Sequence, residues 1–157
     1  MSVTVCSRVE AQFSEHFGEA PEGVWSAPGR VNLVGEHTDY NAGLCLPVPL
    51  AQRTFAAARP RADGRVLAVS MDVPGVVDID LPDVGPQRPG GWGAYVAGTL
   101  WALRQAGYRV GGMELLIGSE LLIGAGLSSS AALECAVAGA ASDVFGLGLL
   151  ADDAGRS

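Results

Sequence analysis

Two short stretches concentrate groups that can do chemistry. The first is Gly124-Ala125-Gly126-Leu127-Ser128-Ser129-Ser130-Ala131-Ala132. Glycines let a backbone wrap closely around a phosphate chain, because no Cβ stands in the way. A helix opening after such a loop presents unpaired N–H groups and the positive end of its dipole. Three serine hydroxyls at that point add ligands, one for a phosphate oxygen and another for Mg²⁺. Taken alone, the same residues also describe a Ser-capped helix after a Gly-rich turn. A serine-hydrolase elbow, Gly-x-Ser-x-Gly, starts at Gly126 and Ser128 but meets Ser130 where its second glycine belongs.

The second stretch is Gly29-Arg30-Val31-Asn32-Leu33-Val34-Gly35-Glu36-His37-Thr38-Asp39-Tyr40. Two carboxylates, an imidazole, a hydroxyl and a phenol fall on consecutive positions after an apolar run. Carboxylate and imidazole groups pair well with sugar hydroxyls, each of which both donates and accepts. Arg30 carries a fixed positive charge suited to a transferring phosphoryl group. A polar turn in which Asp39 caps the next element is the plain structural alternative. Zinc binding finds no support, because no His-Glu-x-x-His accompanies His37.

Composition narrows the chemistry further. The 157 residues hold ten basic side chains, all of them arginine. With no lysine, neither a Walker A loop nor a protein-kinase strand lysine nor a pyridoxal Schiff base can be built here. Phosphate must be held by backbone amides, a helix N-terminus, arginine or a metal. A net charge of −7 without a basic stripe speaks against nucleic acid. Cys6, Cys45 and Cys135 are far apart and read as reduced cytoplasmic thiols. The first thirteen residues carry Arg8 and Glu10 and do not read as a secretory signal. Leu121 to Ala141 is apolar enough to raise a membrane span. Three serines, Glu134 and two glycines argue against it.

The elements that must position these groups follow from periodicity. Val5, Val9, Phe13 and Phe17 predict an amphipathic helix stopped at Gly18. Val24-Trp25 opens an extended stretch, and Arg30 to Val34 reads as a short buried strand. Pro47 and Pro49 make Leu44 to Leu50 an edge or irregular strand. Thr54–Arg59, Val66–Ser70 and Val76–Ile79 are strand candidates resembling a meander. Pro82 to Gly91 is a loop. Trp92, Val96, Leu100 and Leu103 mark a helix ending near Gly107. Met113 to Ile117 is a strand, Ser119 to Leu127 a loop, and a helix runs from about Ser128 to Phe145. This is an α+β arrangement without repeat or linker.

The motifs carry a family resemblance. Residues 29–43, followed by Leu46-Pro47, resemble the galactokinase signature. Gly124 to Ala132 resembles the phosphate loop of the GHMP kinase superfamily, and Trp92 to Gly98 a galactokinase segment near the adenine site. The resemblance implies a GHMP kinase N-terminal domain over residues 1–157, ribosomal-protein-domain-2-like, with a mixed sheet packed by helices. It implies ATP-dependent phosphorylation of galactose at its anomeric hydroxyl, by a cytoplasmic enzyme that is a monomer at full length. Glu36, His37, Thr38 and Asp39 would hold the sugar, and Arg30 would stabilise the transition state. Gly124, Ala125, Gly126, Leu127, Ser128, Ser129 and Ser130 would cradle ATP, with Ser70 and Trp92 nearby and Ser130 ligating Mg²⁺. Leu122 stands where the family's loop has proline. The family's catalytic Asp belongs to a later motif, so the chain is expected to be a truncated galactokinase, inactive alone. Kinases of related sugars such as N-acetylgalactosamine, and a non-catalytic galactose and ATP sensor, fit the same motifs.

Overall fold

The computed structural model describes residues 4–35, 41–85, 89–122 and 127–149. Its elements, in chain order, are helix α1 (Val5–Phe17), strands β1 (Gly23–Val34), β2 (Leu46–Arg61), β3 (Arg65–Ser70) and β4 (Val76–Asp80), helix α2 (Gly93–Gln105), strand β5 (Gly112–Ser119) and helix α3 (Ser129–Val144). A single 3₁₀ turn, Leu81–Asp83, follows β4. The five strands form one sheet in the order β1-β2-β5-β3-β4.

The expected meander is corrected here. β3 and β4 form an antiparallel hairpin, but β5 inserts between β2 and β3. β5 runs antiparallel to β2 and parallel to β3. The sheet is therefore mixed. A parallel neighbour needs a crossover connection, and α2 supplies it between β4 and β5. Local alternation cannot reveal this pairing, because β5 arrives more than forty residues after β3.

Two apolar layers follow from the strand period of two. Ala56 and Ala58 of β2 with Met113, Leu115 and Ile117 of β5 face α2 and α3. Ala57 and Leu116 face Val9 and Phe13 of α1 on the other side. That explains why the middle strands read as continuous apolar runs. α1 starts on the Thr4 side chain, which accepts the Ser7 N–H at 3.3 Å, and stops at Gly18 in the left-handed region.

β2 unites what reads in sequence as two segments. Its second half, Thr54–Arg61, pairs with both β1 and β5. Among the described residues its first half pairs with β1 alone, where Pro47 lies opposite Asn32 and Pro49 opposite Arg30. Proline is tolerated there because no described strand completes a ladder on the other side. The facing end of β1 is not the buried strand expected: Leu33 and Val34 are 65% and 66% exposed.

α3 has a broad buried face, Ala132, Leu133, Ala136, Val137, Ala140 and Ala141, and an exposed stripe that includes Glu134 and Cys135. Alanine and glycine on both faces hide that division from a hydropathy reading. No described helix is long and apolar enough to cross a membrane.

The far end of the sheet is tied by charge. Glu114, almost fully buried on β5, accepts from Arg59 at 2.6 Å and from Arg61 at 2.5 Å, both on β2. Arg59 also pairs with Glu19, and Arg61 with Asp63. The Arg61 hydrogen bond, helped by the Arg65 N–H, holds the Asp63 carboxyl down at about 2.

Candidate active site

The two chemical stretches meet through β1 and α3. The Arg30 N–H donates to the Leu127 carbonyl at 3.2 Å. Close approach is possible because Gly29 has no side chain. A Cβ there would stand 2.8 Å from the Leu127 oxygen and 2.5 Å from Leu121 Cδ2. At the opposite end of α3, Trp25 Nε1 donates to Asp143 Oδ2 at 2.7 Å. α3 is thus held to β1 at both ends and runs antiparallel to it. Its N-terminus lies beside Arg30, six residues before the carboxylate–imidazole cluster begins at Glu36.

That N-terminus is not capped in the usual way. Ser128, the N-cap residue, has φ 54° in the left-handed region, and its side chain makes no capping bond. An N-cap ordinarily sits in the extended region with its hydroxyl folded onto the first turn. A non-glycine residue held at positive φ is strained. The Ser-capped-helix alternative therefore loses its main support.

Beside this helix end lies a cleft of about 290 Å³. Ser129, Ser130 and Leu133 of α3 form one wall. Trp92 and Tyr95, at the start of α2, form the facing aromatic wall. The floor is the end of the parallel pair β3/β5, with Ser70 and Ile117, closed by Thr54, Asp72, Val73 and Ser119. Ligand crevices in sheets with parallel strands open at their carboxyl ends. Trp92 reaches its place because Gly93 lets the first turn of α2 settle on Val77, 2.5 Å from where a Cβ would be.

Ser70, Trp92, Ser129 and Ser130, named from sequence, thus line one cleft. Ser70 Oγ accepts from the N–H groups of Asp72 at 3.1 Å and Val73 at 3.2 Å. A hydroxyl has two acceptor positions and one proton, so Ser70 can only donate toward a ligand. Leu127 and Ser128 carry the loop into α3. Arg30 lies on the far side of Leu127, outside the cleft-lining set. Glu36, His37, Thr38, Asp39, Gly124, Ala125 and Gly126 lie outside the described residues. Thr54, Asp72 and Ser119 were missed by sequence reasoning, and Tyr95 entered it only within the Trp92–Gly98 segment. Asp72 and Ser119 stand at or just beyond a strand end, Thr54 inside β2 and Tyr95 on α2.

Comparison with known proteins decides the family. The galactokinase galactose-binding signature matches residues 11–60, and the GHMP kinases N terminal domain matches residues 94–156. The galactokinase of Streptomyces coelicolor is 45% identical over 150 residues, covering 95% of this chain and 39% of that protein. The chain belongs to the galactokinase family of the GHMP kinases. A Clostridium tetani galactokinase is 38% identical over 92% of the chain and 37% of its own length. The crystal structure of Lactococcus lactis galactokinase complexed with galactose superposes with a TM-score of 0.82 at 40% identity, covering 93% of this chain and 39% of that one. Methanococcus jannaschii mevalonate kinase, at 18% identity and a TM-score of 0.65, shares the fold. The chain corresponds to the N-terminal part of these galactokinases and spans about two fifths of their length.

Proposed function

We propose that this chain supplies the sugar-holding loop and the phosphate loop of an enzyme that transfers the γ-phosphoryl group of ATP to the anomeric hydroxyl of galactose. The observation that carries the proposal is the Arg30–Leu127 hydrogen bond. It joins the strand leading to Glu36–Asp39 with the residue that follows Gly124–Gly126, as a two-substrate transfer requires.

In this reading Glu36, His37, Thr38 and Asp39 bind sugar hydroxyls. Trp92 and Tyr95 offer aromatic faces to the adenine. Ser70 donates one hydrogen bond, and the open N-terminus of α3 receives the phosphates. Ser129 and Ser130 offer oxygen donors, the type Mg²⁺ prefers, with nucleotide phosphates completing the set. Among the described residues no group of three or more His, Cys, Asp or Glu could hold a metal alone, which suits an ion carried by a nucleotide. When bound, Mg²⁺ offsets charge on the phosphate oxygens. Arg30 adds a further positive charge near the transfer point. The family assigns the base to an Asp in a later motif that these 157 residues do not include. A cytoplasmic location fits three free cysteines, Cys6, Cys45 and Cys135.

Titration calorimetry with galactose tests the sugar half. Asp39→Ala is expected to weaken galactose at least about tenfold, the loss of a charge-assisted hydrogen bond. Affinity for a non-hydrolysable MgATP analogue should change less than twofold. Equal loss of both ligands would make residues 36–39 a structural turn. Preference for an N-acetylated sugar over galactose would move the substrate assignment.

A further inference from the structure

We infer that Asp72 is a positioning residue for the phosphate loop: its carboxylate fixes the point where the chain leaves β5, and thereby the affinity for nucleotide. The inference rests on the phosphate-loop reading proposed above.

The parallel ladder between β3 and β5 ends at Ser70 opposite Ile117. One more backbone bond follows, from the Met71 N–H to the Ile117 carbonyl at 2.8 Å. Beyond it β3 turns away, and the Ser119 N–H has no β3 carbonyl to meet. Asp72 Oδ2 takes that place, accepting the Ser119 N–H at 2.8 Å. The carboxylate is aimed by its own turn, because Ser70 Oγ holds the Asp72 and Val73 N–H groups. A side chain therefore continues a ladder that the backbone has abandoned.

What it holds is the hub of the loop entry. Ser119 Oγ lies 2.9 Å from Thr54 Oγ1 and accepts the Leu121 N–H at 3.1 Å. Next door, the Glu120 N–H donates to the Arg53 carbonyl at 2.9 Å, and the Arg53 N–H donates to Glu120 Oε2 at 3.1 Å. The guanidinium of Arg53 reaches back to Ser26 of β1. Residues 119–121 are thus fixed from β2 on one side and from the β3 turn on the other. The loop exit is fixed from β1 through Arg30. A loop that must wrap phosphates is preorganised when both of its ends are held, and preorganisation appears as affinity. Of these anchors, Asp72 is the one that also lines the cleft from an exposed turn, so its removal leaves both cores untouched.

The test is binding of a non-hydrolysable MgATP analogue to the 157-residue chain and to Asp72→Ala and Asp72→Asn, with galactose affinity and thermal melting measured in parallel. Asp72→Ala is expected to weaken the nucleotide about five- to tenfold, less than the roughly tenfold or more of a hydrogen bond to a charged group lost directly, because Asp72 acts through Ser119, with galactose affinity shifted less than twofold. Asp72→Asn keeps an oxygen that can accept the Ser119 N–H and is expected to recover most of the loss. It also removes a negative charge near the phosphates. Unchanged nucleotide affinity in Asp72→Ala overturns the inference. So does an Asn variant as weak as the Ala variant, or equal weakening of both ligands. A wild-type chain that binds nucleotide but no sugar would defeat the proposed function while leaving this inference to its own readout. A chain that binds no nucleotide would defeat both.

Discussion

Gly29 is where the strand of the sugar signature and the exit of the phosphate loop touch. A methyl group there would meet a backbone oxygen at 2.8 Å and the Leu121 side chain at 2.5 Å. A backbone atom cannot rotate out of the way, so the loop exit must move. Gly29→Ala is expected to cost about 1–3 kcal/mol of stability, the usual penalty for overpacking, and to weaken nucleotide binding, although residue 29 touches no nucleotide. Denaturant titration and calorimetry check both effects. At this scale the sequence was legible where residue type alone limits the chemistry. The lack of lysine left backbone amides, a helix N-terminus, arginine or a metal to hold phosphate, and Ser129 and Ser130 stand at a helix N-terminus. Ser70 and Trp92 line the same cleft as these serines. Asp72, Thr54 and Ser119 were not legible, because each acts through a partner on another strand, and one polar residue at a strand end says nothing about what lies across from it.

The helices and strands β3, β4 and β5 were readable from their periods and their stop signals, whereas β1 and β2 each join two segments that read separately. Val5, Val9, Phe13 and Phe17 gave α1, and Gly18 ended it. Strand order was not readable. β5 enters between two earlier strands, and no local pattern says which strand edges a later strand will pair with. The proline-containing half of β2 kept its edge character only locally, since its other half sits inside the sheet. Away from the cleft, Glu114 joins β5 to β2 through Arg59 and Arg61. Removing Glu114 takes from Arg59 and Arg61 their buried partner and leaves them the exposed Glu19 and Asp63. Glu114→Ala is therefore expected to lower stability by about 2–4 kcal/mol, with nucleotide affinity in the folded fraction altered less than twofold. Loss of nucleotide affinity at full folding would mean that this end of the sheet is coupled to the cleft.

As a whole, the chain closes two apolar layers around one sheet. Val137 is fully buried and Leu133 is 8% exposed. Among the described residues, several of the most exposed large apolar side chains lie at or next to the outer end of the β1–β2 pair: Leu33, Leu44 and Leu46 are 65%, 95% and 56% exposed, and Val34 pairs with Leu46 in register. Exposed apolar surface of this kind favours association. The chain is expected to associate with rising concentration. Leu33→Ser with Leu46→Ser should shift sedimentation toward monomer without lowering the melting temperature. Association unchanged in that double variant would place the sticky surface elsewhere.

The most direct measurement joins this chain to the family's chemistry. Residues matching this chain make up 39% of the Streptomyces coelicolor galactokinase. Replacing them with this chain gives a fusion that can be checked for cooperative melting and nucleotide binding before any assay. With galactose and MgATP, the fusion is expected to form galactose 1-phosphate, and Asp39→Ala should reduce the rate at least about a hundredfold, since a lost sugar contact lowers both binding and alignment. A folded fusion that binds nucleotide yet forms no galactose 1-phosphate would contradict the proposed function.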